Sequence, residues 1–200
     1  SGGFGKIDMG DVNSATDAID DVTEFARING QGVPSADGAI IWTLPTMVEG
    51  LTVHASTGAA TSNGDDGVAD ADSVAVSYSA GGAKVGYGQL DRETGVEETL
   101  VNLSYSMSGI TAAYEIHSSK ATTGIDTDTK NMGVKYTTGD ISISWENSTT
   151  KASNATKAND ETVMAFEYAV GDGLVVGVET YDDGVVASSE KTSIYAGFAF

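Results

Sequence analysis

Residues 99–118, TLVNLSYSMSGITAAYEIHS, decide the fold. Apolar and polar side chains alternate through residues 99–106 and again through residues 110–118, and only Met-Ser-Gly separates the two runs. A period of two is typical of a β-strand with two unlike faces, and so short a break lets the second strand return beside the first. The stretch therefore predicts a pair of antiparallel strands.

The two faces of this strand pair differ in chemistry. The apolar face holds Val101, Leu103, Tyr105, Ile110, Ala112, Tyr114 and Ile116, and the polar face holds Asn102, Ser104, Glu115 and His117. In a soluble sandwich the apolar face would be the core. In an outer-membrane barrel the apolar face would meet lipid and the polar face would line the lumen. Alternation alone leaves both structures open.

The same pattern recurs along the chain and predicts twelve strands. The segments are residues 4–12, 39–47, 51–57, 73–79, 83–90, 99–106, 110–118, 131–137, 141–147, 161–170, 174–181 and 191–200. The last of them, KTSIYAGFAF, keeps its alternation to the final Phe200. A terminus is normally frayed and solvated, so this one must press its apolar face against a core or a bilayer.

Composition excludes several classes of protein. The chain has 200 residues, a formal net charge of −19 and no cysteine. No segment approaches the ~20 apolar residues that a membrane-spanning helix requires. The absence of cysteine excludes disulfides and thiolate metal sites, and the acidic surplus argues against a nucleic-acid partner because phosphate contacts need cations.

The connections between the predicted strands favour the barrel. Long connections alternate with short ones throughout, and the longest follows the first strand. An up-and-down outer-membrane barrel has short periplasmic turns at one end and longer external loops at the other, whereas a Greek-key sandwich has no reason to keep that order. The fold class predicted is therefore all-β, a transmembrane antiparallel up-and-down β-barrel.

Three stretches resemble a known family. Residues 2–22, GGFGKIDMGDVNSATDAIDDV, resemble a strand and constriction loop of general diffusion porins of Gram-negative bacteria, especially the alphaproteobacterial type. Residues 39–56, AIIWTLPTMVEGLTVHAS, resemble the strand pair that follows, although Ile41 stands where that family has an inward basic residue. The closing strand, with Phe198 and Phe200, is similar to the signal that the outer-membrane assembly machinery binds.

The resemblance implies an architecture and a function. Residues 1–200 would form a single β-barrel domain that runs from the fifth strand to the carboxyl terminus, with twelve strands of a sixteen-stranded barrel present, and residues 13–38 would be the inward-folded constriction loop. The protein would be a homotrimeric outer-membrane porin for passive diffusion of small hydrophilic solutes and ions. The alternative is a complete twelve-stranded barrel acting as a specific channel, an adhesin or a lipid hydrolase.

Charged residues of the loop and of the inward-facing strand positions are the candidate site. The predicted pore constriction consists of Asp17, Asp20, Asp21, Glu24, Arg27, Lys6 and Lys84, and the predicted lumen lining of Glu115, Glu146, Glu167, Glu179, His54 and His117. Acids at a narrow place favour cations, so the channel is expected to prefer them. Two readings stay open for the loop acids, a solvated surface and a Ca²⁺ site that holds the loop.

Cofactors and catalysis receive little support. No cofactor is required, and a structural Ca²⁺ at Asp65 and Asp66 is a weak expectation. The acidic external clusters are expected to bind divalent cations or bridge lipopolysaccharide. His54 and His117 fall on strand positions that face inward. No short motif places a serine and an asparagine beside either of them, so an enzyme is not expected.

Overall fold

The computed structural model describes residues 3–28, 37–58, 71–184 and 190–198, and all twelve predicted segments form strands. The strands are β1 (Lys6–Asn13), β2 (Asp37–Thr43), β3 (Leu51–Thr57), β4 (Ala71–Ala80), β5 (Ala83–Arg92), β6 (Glu97–Met107), β7 (Ile110–Lys120), β8 (Thr127–Thr138), β9 (Ile141–Ala152), β10 (Asn159–Gly171), β11 (Leu174–Asp182) and β12 (Lys191–Phe198).

The strands form one antiparallel sheet in chain order. Each strand pairs with its neighbours in the sequence, and within the described residues β1 pairs with β2 alone and β12 with β11 alone. The predicted up-and-down order is therefore confirmed. No helix in the described part of the chain is long and apolar enough to cross a membrane.

One end of the sheet is closed by tight turns at residues 81–82, 108–109, 139–140 and 172–173. Ser108 and Gly109 have φ of 51° and 80°, and Asp172 and Gly173 have φ of 50° and 80°. Two successive positive φ values are the mark of the type I′ turn, whose twist matches that of paired strands. We call this the short-turn end. The longer connections, among them residues 121–126 and 153–158, lie at the opposite, long-loop end.

Strand boundaries differ from the prediction mainly at the long-loop end. β8 begins at Thr127 rather than residue 131, and β9 ends at Ala152 rather than residue 147. The backbone ladder continues there although the apolar alternation has stopped, so a pattern of side chains cannot detect it. In the other direction, β2 ends at Thr43, before Pro45, which has no N–H to continue a ladder.

The two faces of the sheet are the reverse of those in a soluble protein. Val101, Leu103 and Tyr105 are 45–50% exposed, whereas Asn102 is 2% exposed and Glu115 is fully buried. We call the apolar face outer and the polar face inner. An exposed apolar face of this kind is stable in contact with lipid rather than with water. Four outer-face tyrosines near the short-turn end suit a membrane interface: Tyr78, Tyr105, Tyr136 and Tyr168.

Candidate functional site

The chain between β1 and β2 returns over the inner face of the sheet. Its described part, residues 14–28, is here called the inward loop. The Ala15 N–H donates to Ser56 Oγ and to Ser73 Oγ, both at 2.9 Å. Further along, the Asn102 side-chain amide donates to the Ile19 carbonyl. The first half of the loop is therefore attached to β3, β4 and β6 by neutral groups.

The sheet that the loop lies on is here called the wall, and carboxylates of the wall hold the second half of the loop. Glu146 Oε1 accepts the N–H of Phe25 at 2.7 Å and also the N–H of Ala26. Glu179 accepts the N–H of Arg27 at 2.6 Å and that of Ile28 at 3.1 Å. Hydrogen bonds to a charged acceptor are about twice as strong as neutral ones, so these two glutamates fix residues 25–28 against β9 and β11.

Glycines and small apolar contacts let the loop approach the wall. A Cβ at Gly88 would lie 2.8 Å from Thr16 Cγ2, and a Cβ at Gly133 would lie 2.8 Å from Phe25 Cε2 and 3.0 Å from the Thr23 carbonyl oxygen. Side chains at these positions would push the loop away from the sheet. A small cluster of Ala15, Ile19, Ala75 and Leu100 is buried between loop and wall.

Glu167 is the centre of a charged cluster beside the end of the described loop. It accepts Nε of Arg27 and the hydroxyl of Tyr195 at 2.9 Å, and Lys135 Nζ lies 4.0 Å from it. The Tyr195 ring lies over Gly177, where a Cβ would be 2.5 Å from the ring. The neighbouring carboxylate raises the pKa of Arg27 above its usual value, so the guanidinium stays charged.

The middle of the inward loop concentrates acidic groups. Asp21 and Glu24 are exposed, and Asp17 and Asp20 are half-buried. Burial, followed by the charges of Asp21 and Asp17, raises the pKa of Asp20 to about 9. Burial and the charge of Asp21 raise the pKa of Glu24 as well. Asp20 is therefore protonated at pH 7, because burial and two neighbouring carboxylates disfavour its ionised form.

The wall glutamates predicted to line the lumen face inward, but the loop covers most of them. Glu115, Glu146 and Glu179 are fully buried, and the Glu167 side chain is 13% exposed. A strand position that faces inward predicts contact of its side chain with the water of the lumen. Glu146 and Glu179 instead accept backbone N–H groups of the loop, so they do not meet that water.

The remaining predicted residues lie apart from one another. His54 Nδ1 is 3.1 Å from Thr43 Oγ1, and His117 Nε2 is 3.1 Å from Glu98 Oε2. Lys6 pairs with Asp8 at 2.9 Å. Lys84 is half-buried on the inner face of β5, and Phe198 is exposed on the outer face of β12.

Other predicted residues lie outside the described ranges, namely Phe200, Asp65 and Asp66. Their assigned roles as assembly signal and calcium ligands stay predictions. Within the ranges that are described, no group of three or more His, Asp or Glu side chains is arranged to hold a metal ion.

Several residues that position the loop were not singled out from the sequence. Ser56, Ser73, Asn102, Lys135 and Tyr195 all contact the loop or its ion-pair partner. Apolar residues of inward parity would have been a usable signal. Leu100 and Val163 interrupt an otherwise polar face, and both are buried where the loop covers the wall.

A sheet with an apolar outer face, a polar inner face and a loop folded onto the inner face defines a transmembrane β-barrel channel. The sequence model of the Gram-negative porin family matches residues 1–199. The chain belongs to that family, and it is an outer-membrane β-barrel protein. The family is one of channels and not of enzymes. A comparison with curated proteins finds no match.

Solved porins share the fold. A porin refined at 1.8 Å resolution matches at 17% identity with a TM-score of 0.77, over 100% of this chain and 79% of that one. A mutant porin of Rhodopseudomonas blastica matches at 14% identity and a TM-score of 0.71, over 95% and 71%. An anion-selective porin from Comamonas acidovorans matches at 11% identity and a TM-score of 0.69, over 100% and 71%.

Proposed function

We propose that this chain forms the wall and the constriction of a water-filled channel that lets small hydrophilic solutes and ions diffuse passively and prefers cations. The observation that carries the proposal is the inward loop, which lies on the polar inner face and brings an acidic cluster with it. A narrow place lined by one sign of charge selects ions of the opposite sign at close range.

The preference for cations rests on the charges that remain exposed. In the inward loop the exposed Asp21 and Glu24, together with the half-buried Asp17, stand against Arg27, whose guanidinium is paired with Glu167. Protonation of Asp20 removes one negative charge at pH 7 and leaves the sum negative. An anion-selective porin of similar fold shows that the fold itself does not set the sign of selectivity.

We propose that the complete barrel has sixteen strands, four of them between β12 and β1, and that it is of the alphaproteobacterial type. Two observations support the strand number. The described edges of β1 and β12 are not paired with each other, and the chain spans 71–79% of the porins that it resembles. An unpaired edge in lipid leaves backbone groups without partners.

We also propose a homotrimer, contacts with lipopolysaccharide, and a terminal strand that the assembly machinery binds.

Planar-bilayer recording of the full-length protein across a salt gradient tests the function. We expect stepwise conductance in groups of three and a reversal potential biased toward cations. Replacing both exposed acids, Asp21→Asn with Glu24→Gln, should reduce that bias, and the outer-face variant Asp91→Asn should leave it unchanged. Protein shown to be folded that gives no conductance would overturn the open channel, and a bias toward anions would overturn the selectivity.

A further inference from the structure

Two basic side chains converge on one carboxylate of the inner face, on the short-turn side of the inward loop. Arg27 Nε donates to Glu167 Oε1, and Lys135 Nζ lies 4.0 Å from Glu167 Oε2. On β8, Lys135 lies two residues nearer the short-turn end than Gly133, which the loop covers. Arg27, Lys135 and Glu167 are here called the basic cluster, because they carry two positive charges and one negative charge.

Most hydrogen-bond donors of the basic cluster are unused. A guanidinium has five N–H donors, and among the described residues Glu167 alone accepts one from the Arg27 side chain. The Lys135 ammonium makes no hydrogen bond with a described residue, because 4.0 Å is beyond hydrogen-bond range. The side chains of Arg27 and Lys135 are 47% and 30% exposed, so their donors can reach a solute in the lumen.

Glu167 shows what kind of group the basic cluster can hold. Its carboxylate meets the guanidinium, the ammonium and the hydroxyl of Tyr195, which donates at 2.9 Å. The planar guanidinium matches the two oxygens of a carboxylate. Glu179, the other acid near Arg27, is buried and accepts backbone N–H groups of the loop. One carboxylate therefore serves two cations, and a second carboxylate, brought by a solute, would complete the set.

Small inner-face residues leave room beside the basic cluster. Ser142 stands opposite Glu167 on β9, and Gly177 stands opposite it on β11. The Tyr195 ring lies over Gly177, where a Cβ would be 2.5 Å from the ring. Two residues nearer the short-turn end on β12, a Cβ at Gly197 would meet nothing within 4 Å. The inner face is therefore open on the short-turn side of the cluster.

The acids of the inward loop narrow the class of solute. Glu24 precedes Arg27 by three residues, so their Cα atoms are at most about 11 Å apart. Glu24 and Asp21 are both exposed. A solute with two carboxylates would be repelled by these acids, because like charges interact unfavourably at this range. A solute with an ammonium group several bonds away from one carboxylate suits both the acids and the basic cluster.

We propose that Arg27 and Lys135 form a subsite for the carboxylate group of zwitterionic solutes, the class of free amino acids and short peptides. The subsite rests on the proposed channel, because only an open lumen brings solutes to it. It deepens that function by giving one class of solute a place to bind in transit, with its ammonium group toward Glu24. The channel then prefers cations among simple ions and still retains zwitterions.

Block of the potassium current tests the subsite. In planar-bilayer recording of the full-length protein in KCl, ε-aminocaproate offers a carboxylate and an ammonium group, whereas its amide lacks the carboxylate. We expect the first compound to reduce the conductance saturably and the second to leave it unchanged. The double variant Arg27→Gln, Lys135→Gln should raise the half-blocking concentration about tenfold, the effect of losing roughly one charge-assisted contact. Lys130→Gln is the matched control, since it removes a lysine from the outer face of the same strand.

Glu167→Gln separates a binding role from a structural one. This variant removes the carboxylate that competes with the solute and keeps an oxygen acceptor for Arg27 and Tyr195. We expect a half-blocking concentration about threefold lower than in the parent, and a higher one would overturn the subsite. A parent current that both compounds reduce equally, or that neither reduces, would also overturn it and leave the channel standing. Folded protein without any potassium current would overturn the proposed channel and the subsite with it.

Discussion

The two halves of the inward loop are attached to the same sheet by different chemistry. Residues 14–19 are held by serine hydroxyls and an asparagine amide, and residues 25–28 are held by two buried glutamates. Carboxylates therefore have two different roles in the wall and in the loop. Acids of the wall serve as structural acceptors beneath the loop, whereas Asp21 and Glu24 of the loop itself are exposed to water, where the proposed channel would use them to act on passing ions.

The energies of attachment should differ accordingly. A hydrogen bond between neutral groups contributes about 0.5–1.5 kcal/mol, and one to a charged group about 1.5–3 kcal/mol. The second half makes several bonds of the stronger kind to Glu146 and Glu179. We therefore expect the first half to loosen before the second under any mild destabilisation.

Removing a glutamate anchor should have the largest effect. Glu146→Ala leaves the N–H groups of Phe25 and Ala26 without their acceptor and should destabilise the docked loop by about 2–4 kcal/mol. Single-channel conductance should become larger and noisier as residues 25–28 leave the wall. Ser73→Ala, which removes one acceptor from the first half, should cost about 1 kcal/mol. Equal effects of the two changes would contradict the comparison.

A side chain added beneath residues 23–25 of the loop should have an intermediate effect. Gly133→Val places a side chain against Phe25 and the Thr23 carbonyl, and overpacking of this kind costs about 1–3 kcal/mol. We expect a lower thermal-unfolding midpoint and altered conductance. Gly197→Val is the matched control, because a Cβ at that inner-face position meets nothing within 4 Å. If both variants behave alike, the loop does not rest on Gly133.

A change of pH should have the smallest effect and should act through Asp20, which directly follows the first half of the loop. The pKa of Asp20, raised to about 9 in the folded protein, means that the folded state holds this proton more tightly than the unfolded state. Its contribution to loop docking is full below pH ~4 and is lost as the pH rises toward 9. Ionisation should also strengthen cation preference between pH 7 and 9.5, measured as a reversal potential.

Asp20→Asn is the control for that titration. This variant cannot gain a charge, so its reversal potential should stay nearly constant over the same range, and at pH 7 it should resemble the parent. A parent whose selectivity is also constant from pH 7 to 9.5 would show that Asp20 is already ionised at neutral pH.

The sequence was sufficient for the strands and insufficient for the contacts of the site. Period-two alternation and the order of long and short connections predicted twelve strands in an up-and-down order, and the structure has them. Parity correctly placed Glu115, Glu146 and Glu179 on the inner face. Parity could not show that a loop more than a hundred residues away in sequence covers Glu146, as the Phe25–Glu146 hydrogen bond shows.

The sequence by itself determined which side chains face each way, since this follows from local backbone geometry with a period of two. It also determined the tight turns, because Gly109 and the pair Asp172-Gly173 suit positive φ. Tertiary structure alone decided which inward acids meet water, which accept backbone amides, and that Asp20 keeps a proton. Those outcomes depend on burial and on charges brought together from distant segments, and no local pattern records either.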